Sequence, residues 1–492
     1  MSPKSRQALI LLAFALGLVV AADLLSRTMP ERPGFASWIV LALVVGVALE
    51  RARVVQVSRT SFALGAAAPL FACALIGRDA DPLFALNLLA ALACIVLAAP
   101  RVSPAGLGSA GVLDYARAAA DSAANSLAGV LPAAVVDVEW NAVGGGRRAR
   151  SLLAAGAGLL AVIPILVLFG NLFSQADPLF ERTMRWVLYL NLDAMLPHVV
   201  TIGVAAWLTA GFLRWAFVRS PYTASAAPEV AGVGIAAIGT ATGAVALLFL
   251  LFVALQVRYL FGGDALVRGP TVLSYAEYAR RGFFELTAVA GLSLPLLLLA
   301  EWLLNKDDRR GVRTFRALAA VVVALLCVIV ASALFRMRLY VSAYGLTEQR
   351  LYVTAFMLWL ALVFGWFAAT VLRGRRERFA AGGLGAGLAS IVILNLLNPD
   401  AVIARSNLAR AGGPGPFDAA YVAGLSADAL PVVLAALPAL APAEQCAISR
   451  GLHQRWKGER AGADWNLARA RAGRELALAR LPVSVACGGS GT

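Results

Sequence analysis

Eleven long apolar runs dominate this chain, at residues 8–25, 35–49, 62–77, 82–99, 151–173, 193–218, 230–259, 282–304, 315–335, 351–372 and 379–397. A hydrocarbon core of ~30 Å is crossed by about 20 apolar residues in helical form. Inside lipid, every backbone amide must be satisfied within its own segment or a closed barrel. Uninterrupted apolar runs, without polar alternation, select the helix. The second, third and eleventh runs are short or glycine-rich and carry the least signal. The first lacks a small-x-small site before the next run and is not read as a cleaved signal peptide. The chain is 60% hydrophobic and only 14% charged over 492 residues, and its mean hydropathy is +0.77. Soluble domains run at about 45–50% apolar and about 25% charged. A soluble enzyme, a disordered chain, a collagen and a coiled coil are thereby excluded. The expected fold is all-α: a polytopic helical membrane protein of about 11 transmembrane helices with a small helical C-terminal domain.

The excess of basic residues, +15 at neutral pH, reads as a membrane signature rather than a nucleic-acid footprint. Lys and Arg mark cytoplasmic ends and touch anionic headgroups, so membrane lipids are the expected partners. With the N-terminus inside, basic residues in the inner loops outnumber those in the outer loops by roughly two to one. An odd number of spans then puts residues 398–492 outside. Four regions follow: first helices at 1–99, an inner loop with an amphipathic helix at 100–150, a main bundle at 151–397, and the tail. Cys73, Cys94 and Cys327 fall within spans, whereas Cys446 and Cys487 both fall in the tail. Two thiols in one extracytoplasmic domain suggest a disulfide. With two histidines and no clustered His/Cys motif, neither a metal nor a cofactor is expected. In the tail, Ser426 can cap a helix through residues 430–440, broken by Pro431 and Pro438. Residues 442–457 and 464–481 are further helical candidates.

Polar groups within or beside spans are the usual functional pointers. Asp193 and His198 flank Pro197, which frees a carbonyl and kinks its helix; they form a candidate pair near the outer end. A larger concentration lies on the same side. Residues 274–286 read SYAEYARRGFFEL and supply Tyr275, Glu277, Arg280, Arg281 and Glu285. Residues 336–352 read RMRLYVSAYGLTEQRLY and supply Arg338, Tyr344 and Arg350. Residues 395–410 read NLLNPDAVIARSNLAR and supply Asn395, Asp400 and Asn407. Arginine forks beside tyrosine hydroxyls suit a phosphate or carboxylate at headgroup level. Glu285 should pair with Arg281 or Arg350. The same residues read equally as an aromatic belt with ion pairs that tie the spans to the tail.

YARRGFFEL, YGLTEQRLY and NPDAVIARSN closely resemble the signature segments of a bacterial polytopic membrane family, domain of unknown function 4173, with its relative 4153. The resemblance covers residues 274–430. It implies a multi-helix inner-membrane protein and no settled activity.

Three functions are compatible with this pattern. The first is a non-enzymatic envelope protein, whose outer Arg/Tyr/Glu face and tail bind an envelope protein or lipid-linked ligand. The second is an enzyme on polyprenyl-phosphate sugars, which would need Asp23 or Glu31 in a very short first outer loop. The third is a transporter, disfavoured because no carboxylate relay and no inverted repeat is visible. The first is the expected one. Small residues in the spans permit a homodimer without requiring one.

Overall fold

The computed structural model describes residues 3–28, 31–51, 59–99, 110–129, 192–218, 233–261, 283–413, 417–457 and 465–479, with a few single residues between them. Among the described residues, eleven helices precede the tail. They are α1 (Pro3–Thr28), α2 (Glu31–Arg51), α3 (Arg59–Gly77), α4 (Asp81–Ala98), α5 (Val112–Ala128) and α6 (Leu192–Leu213). They continue with α7 (Ile235–Phe261), α8 (Phe283–Leu303), α9 (Arg309–Tyr344), α10 (Glu348–Thr370) and α11 (Phe379–Leu397). Every other apolar run carries a helix; of residues 151–173 only Phe169 and Phe173 are described, both helical. Six described helices are long and apolar enough to cross a membrane, and Ser5–Ala21, Phe62–Gly77 and Val204–Phe217 are shorter apolar helices. The chain is an all-α membrane protein.

Helix α9 departs most from expectation. Its 36 residues extend about 54 Å at 1.5 Å per residue, well beyond the ~30 Å of a hydrocarbon core. Its apolar centre continues into polar turns at both ends, so the helix protrudes with Arg309, Arg310 and Arg313 at its start and Arg336 and Arg338 near its close. Asp308 starts it by accepting the Arg310 N–H at 3.0 Å. Its buried face, Phe315, Leu326 and Ile329, meets Met357, Leu360, Phe364 and Phe367 of α10 in the largest core, which α7 and α8 complete. A second core joins α2, α3 and α4 through Ile39, Phe71, Leu75 and Cys94. Helix α11 packs against both α10 and α4 and links the two halves.

Contacts distinguish two ends of the bundle. At one end the start of α1 meets the π-helical turn Arg214–Val218 after α6, where Gln7 donates to the Phe217 carbonyl at 3.2 Å. Ala99 after α4, Ala118 of α5 and Trp215 pack together there with Leu384 of α11. Val233 before α7 and Leu304 after α8 form an isolated bridge. Glu301 of α8 pairs with Arg376 in the α10–α11 turn at 3.6 Å. The opposite end carries the tail.

The tail comprises α12 (Pro399–Leu408), α13 (Ala419–Gly424), α14 (Leu430–Ala436), α15 (Pro442–Lys457) and α16 (Leu467–Leu478). Its own core is Ile403, Val422, Ala427, Leu430, Val433, Ile448, Leu452 and Ala472, with Leu346 and Leu351 of the bundle packed against it. The proline-broken helix expected over residues 430–440 is α14 followed by a 3₁₀ turn Leu437–Ala439, and a further 3₁₀ turn Ala427–Ala429 precedes it. Pro431 and Pro438 each open a piece rather than interrupt one, because proline fits a first turn and not an interior. Ser426 stands at the N-cap position, but its hydroxyl makes no cap bond.

Candidate functional site

The tail meets the bundle at three places: the α3–α4 corner, the α9–α10 corner and the α11–α12 junction. At the α3–α4 corner the sequence Arg78-Asp79-Ala80-Asp81 turns the chain in three residues. Ala80 is the N-cap of α4 and has no side chain to cap it. Asp428 of the tail supplies the missing acceptor. Its Oδ2 takes the N–H of Asp79 at 2.6 Å and of Ala80 at 3.3 Å, and its Oδ1 pairs with Arg78 at 3.2 Å. A carboxylate at a helix N-terminus also meets the positive end of the helix dipole. Asp79 returns the same service. Its Oδ2 takes the N–H of Ala427 at 2.9 Å. Its Oδ1 accepts from Asn466 at 2.8 Å and from Arg469 at 2.7 Å, both at the start of α16. Each aspartate thus closes the turn that carries the other. Burial alone would raise the Asp79 carboxyl, but the Ala427 N–H, Asn466 and Arg469 outweigh it and hold the group below its ordinary value.

At the α9–α10 corner the tail caps a helix end of the opposite sign. Arg410, just after α12, donates to the carbonyls of Ser342 at 2.5 Å and Ala343 at 3.0 Å in the last turn of α9. A cation suits a helix C-terminus for the reason an anion suits the N-terminus. Asn407 of α12 accepts the Leu346 N–H and donates to the Leu346 carbonyl, both at 2.8 Å. Gly345 makes this approach feasible: its φ is +81°, and a Cβ there would lie 2.7 Å from the Asn407 amide oxygen. Arg350 donates to the Gly345 carbonyl and lies 4.0 Å from the centroid of the Tyr340 ring.

The α11–α12 junction holds Asp400. Asn398 has φ +52°, ends α11 and caps α12 by accepting the Ala401 N–H at 3.3 Å. It also donates to the Asp428 carbonyl at 3.2 Å. Pro399 opens α12, and Asp400 follows with no exposed surface. Its Oδ2 accepts the Ser426 N–H at 3.2 Å, while its Oδ1 has no hydrogen-bond partner. The hydroxyls of Ser426 and of Tyr352 on α10 are likewise buried without partners. Burial first, and then the charges of Asp428 and Asp79, raise the Asp400 carboxyl above its ordinary value despite the N–H that Ser426 donates.

Of the residues singled out from the sequence, the structure brings Arg350, Asn395, Asp400 and Asn407 to this junction. Asn395 lies on α11 inside the bundle, in a reciprocal amide pair with Asn87 of α4: Asn87 donates at 3.0 Å and Asn395 at 2.8 Å. Its carbonyl accepts from Arg78. Arg338 and Tyr344 are exposed on the last turns of α9. Glu285 is exposed in the first turn of α8, and no ion pair joins it to Arg350, whose guanidinium is committed to Gly345 and Tyr340. Tyr275, Glu277, Arg280 and Arg281 lie outside the described residues, as do the side chains of Asp193 and His198 on α6. Cys446 sits half-buried on α15 and is not among the free thiols Cys73, Cys94 and Cys327; Cys487 lies outside the described residues. Among the described residues, no group of three His, Cys, Asp or Glu is arranged to hold a metal. Sequence reading passed over Asp79, Asp428, Asn466 and Arg469. The available signal was the span gap RDAD, where two carboxylates share a turn too short to satisfy them from within.

The matched family model is described as domain of unknown function, DUF4153, and covers residues 65–436. The chain belongs to this family. The match extends the resemblance read from the sequence back into α3, and it is to the relative 4153. It takes in Asp79, Asp400 and Asp428, and stops before the α16 residues that complete the shell of Asp79. No curated protein and no solved structure matches the chain.

Proposed function

We propose that this DUF4153 protein is a non-enzymatic regulator or partner-binding protein of the bacterial inner membrane, with about eleven spans, the N-terminus inside and the tail in the envelope compartment. The observation that carries this reading is the tail's mode of attachment. It caps α4 with an anion and α9 with a cation, through Asp428 and Arg410. A partner that engages the tail therefore acts directly on two bundle helices. The end opposite the tail bears Arg309, Arg310 and Arg313 with Arg373, Arg375, Arg376 and Arg378, which suits anionic headgroups on the inner face. An envelope protein or a lipid-linked ligand is the proposed partner, and the exposed Arg338 and Tyr344 beside the tail are the proposed contacts.

The glycosyltransferase reading is less favoured. It would place Asp23 or Glu31 in the first outer loop, yet α1 ends at Thr28 and α2 starts at Glu31. The transporter reading has no observation in its favour here.

Complementation of a deletion strain separates the readings. Asp428→Asn should leave the amount of membrane-inserted protein within about twofold, yet fail to restore the envelope phenotype, because it removes about 1.5–3 kcal/mol of charged hydrogen bonding at the junction. Asp23→Asn and Glu31→Gln should complement. If Asp428→Asn complements while the other two fail, the enzyme reading replaces the regulator. A periplasm-active reporter fused after Thr492 should be active; an inactive one puts the tail inside and removes the envelope partner.

A further inference from the structure

Asp400 is a fully buried carboxylate at the junction that the surrounding groups do not serve as an anion, and Glu348 of α10 is a second carboxylate beside it. Asp428 has Arg78 and two N–H groups. Asp79 has Arg469, Asn466 and the Ala427 N–H. Asp400 has one N–H, at 3.2 Å, and an oxygen with no partner, and it is completely buried. The groups that act on it or feel it come from every element around it: Asp79 at the α3–α4 corner, Glu348 and Tyr352 of α10, Tyr421 of α13, and Ser426 and Asp428 before α14. Three are carboxylates and none is a cation. The nearby cations are committed elsewhere: Arg78 to Asp428, Arg469 to Asp79, Arg350 to the Gly345 carbonyl, and Arg455 to the carbonyls of Gly424 and Leu425 at 2.6 Å. An isolated buried carboxylate costs far more than the neutral acid in the same place. The unpartnered hydroxyls of Ser426 and Tyr352 are donors and acceptors matched to a carboxylic acid, which needs both.

We propose that Asp400 is a proton-bearing latch: it is held as the neutral acid where the tail docks, and its ionisation loosens the tail from the bundle. The proton is the ligand, and the site binds it only while the tail is seated. The sign follows from linkage. A carboxyl whose value is raised in the docked state stabilises that state fully below the ordinary carboxylate range, and the stabilisation is lost as pH rises through the raised value. Asp79 works in the opposite sense. Its lowered value favours docking above the ordinary carboxylate range and is lost as pH falls below it. The junction is therefore firmest at mildly acidic pH. This inference holds whichever partner engages the tail and whichever side of the membrane it occupies.

The test compares full-length protein with Asp400→Asn, which is uncharged at every pH and close in shape to the neutral acid. Tryptic cleavage within residues 398–492 is timed for both in detergent at a series of pH values, and the ratio of wild-type to variant rates cancels the protease's own pH dependence. The ratio should be lowest at the acid end of the series, within the ordinary carboxylate range, and climb as pH rises through the raised value, by about tenfold for each unit of displacement. A ratio that stays flat across this range overturns the latch. If the variant tail is cleaved freely at every pH, infrared difference spectra of the wild-type protein decide. A protonated-carboxyl band that persists above the ordinary carboxylate range, disappears as pH rises further and is missing from Asp400→Asn supports the proposal, and loss of every such band within the ordinary range overturns it.

Discussion

Single residues at the junction are held by geometry that tolerates no substitute. Gly345 is the sharpest case. Its left-handed φ and the 2.7 Å approach of the Asn407 oxygen to a Cβ mean that Gly345→Ala adds both strain and a clash. A left-handed non-glycine residue costs about 1–3 kcal/mol, and displacing Asn407 would free both groups of Leu346 as well. The variant should unfold at a temperature several degrees lower in detergent; unchanged thermal stability would mean that the α9–α10 corner yields easily. Some of this was readable in the sequence. In NPDA, an Asn before a Pro and an acid shortly after it mark a helix start, and Asp400 and Asn407 were singled out on that stretch. Asp79 and Asp428 were not, because they are 349 positions apart in sequence for the Asp79 N–H bond. Nothing local in SADAL says that its acid will cap a helix begun so much earlier.

Helices were the most legible level, since an apolar run of about 20 residues has no other way to satisfy its amides in lipid. Their ends were less legible. The run at 315–335 gave the apolar centre of α9, but polar turns continue the helix to Arg309 and Tyr344, where hydropathy has no signal. The pairing of helices was not legible either. Helix α11 meets α4 through the Asn395–Asn87 amide pair, two residues that look like isolated polar interruptions when each helix is read alone. This pair makes a prediction at the scale of the element. Asn395→Leu leaves the Asn87 amide without the pair, Asn87→Leu leaves the Asn395 amide oxygen unserved while its NH2 keeps the Ile391 carbonyl at 2.9 Å, and either should destabilise by about 1–2 kcal/mol. The double Leu variant should recover most of that loss, because neither amide is then orphaned. Urea or thermal unfolding of the four proteins in one detergent measures it. A double variant as weak as the sum of the singles would mean that the amides act separately.

For the molecule as a whole, the bundle and the tail are one interlocked structure rather than a membrane anchor with an appendage. The tail's core includes Leu346 and Leu351 of the bundle, and the bundle's α4 borrows its N-terminal cap from the tail. The sequence placed a helical tail beyond residue 397 and offered ion pairs to the spans as one reading of its first residues. It did not reveal that the tail closes on the α3–α4 corner, because that closure depends on Asn466 and Arg469, which stand among many similar polar positions. Reciprocal capping by Asp79 and Asp428 holds this interlock together, and a double-mutant cycle measures it. Asp79→Asn, Asp428→Asn and the double variant are compared with the wild type by the rate at which trypsin cleaves within residues 398–492. Because each carboxylate holds the turn that presents the other, either single change should free the tail, and the double should be little worse than one alone, with a coupling of about 1–3 kcal/mol. Two effects that simply add, or singles that leave the tail as protected as in the wild type, would contradict the interlock.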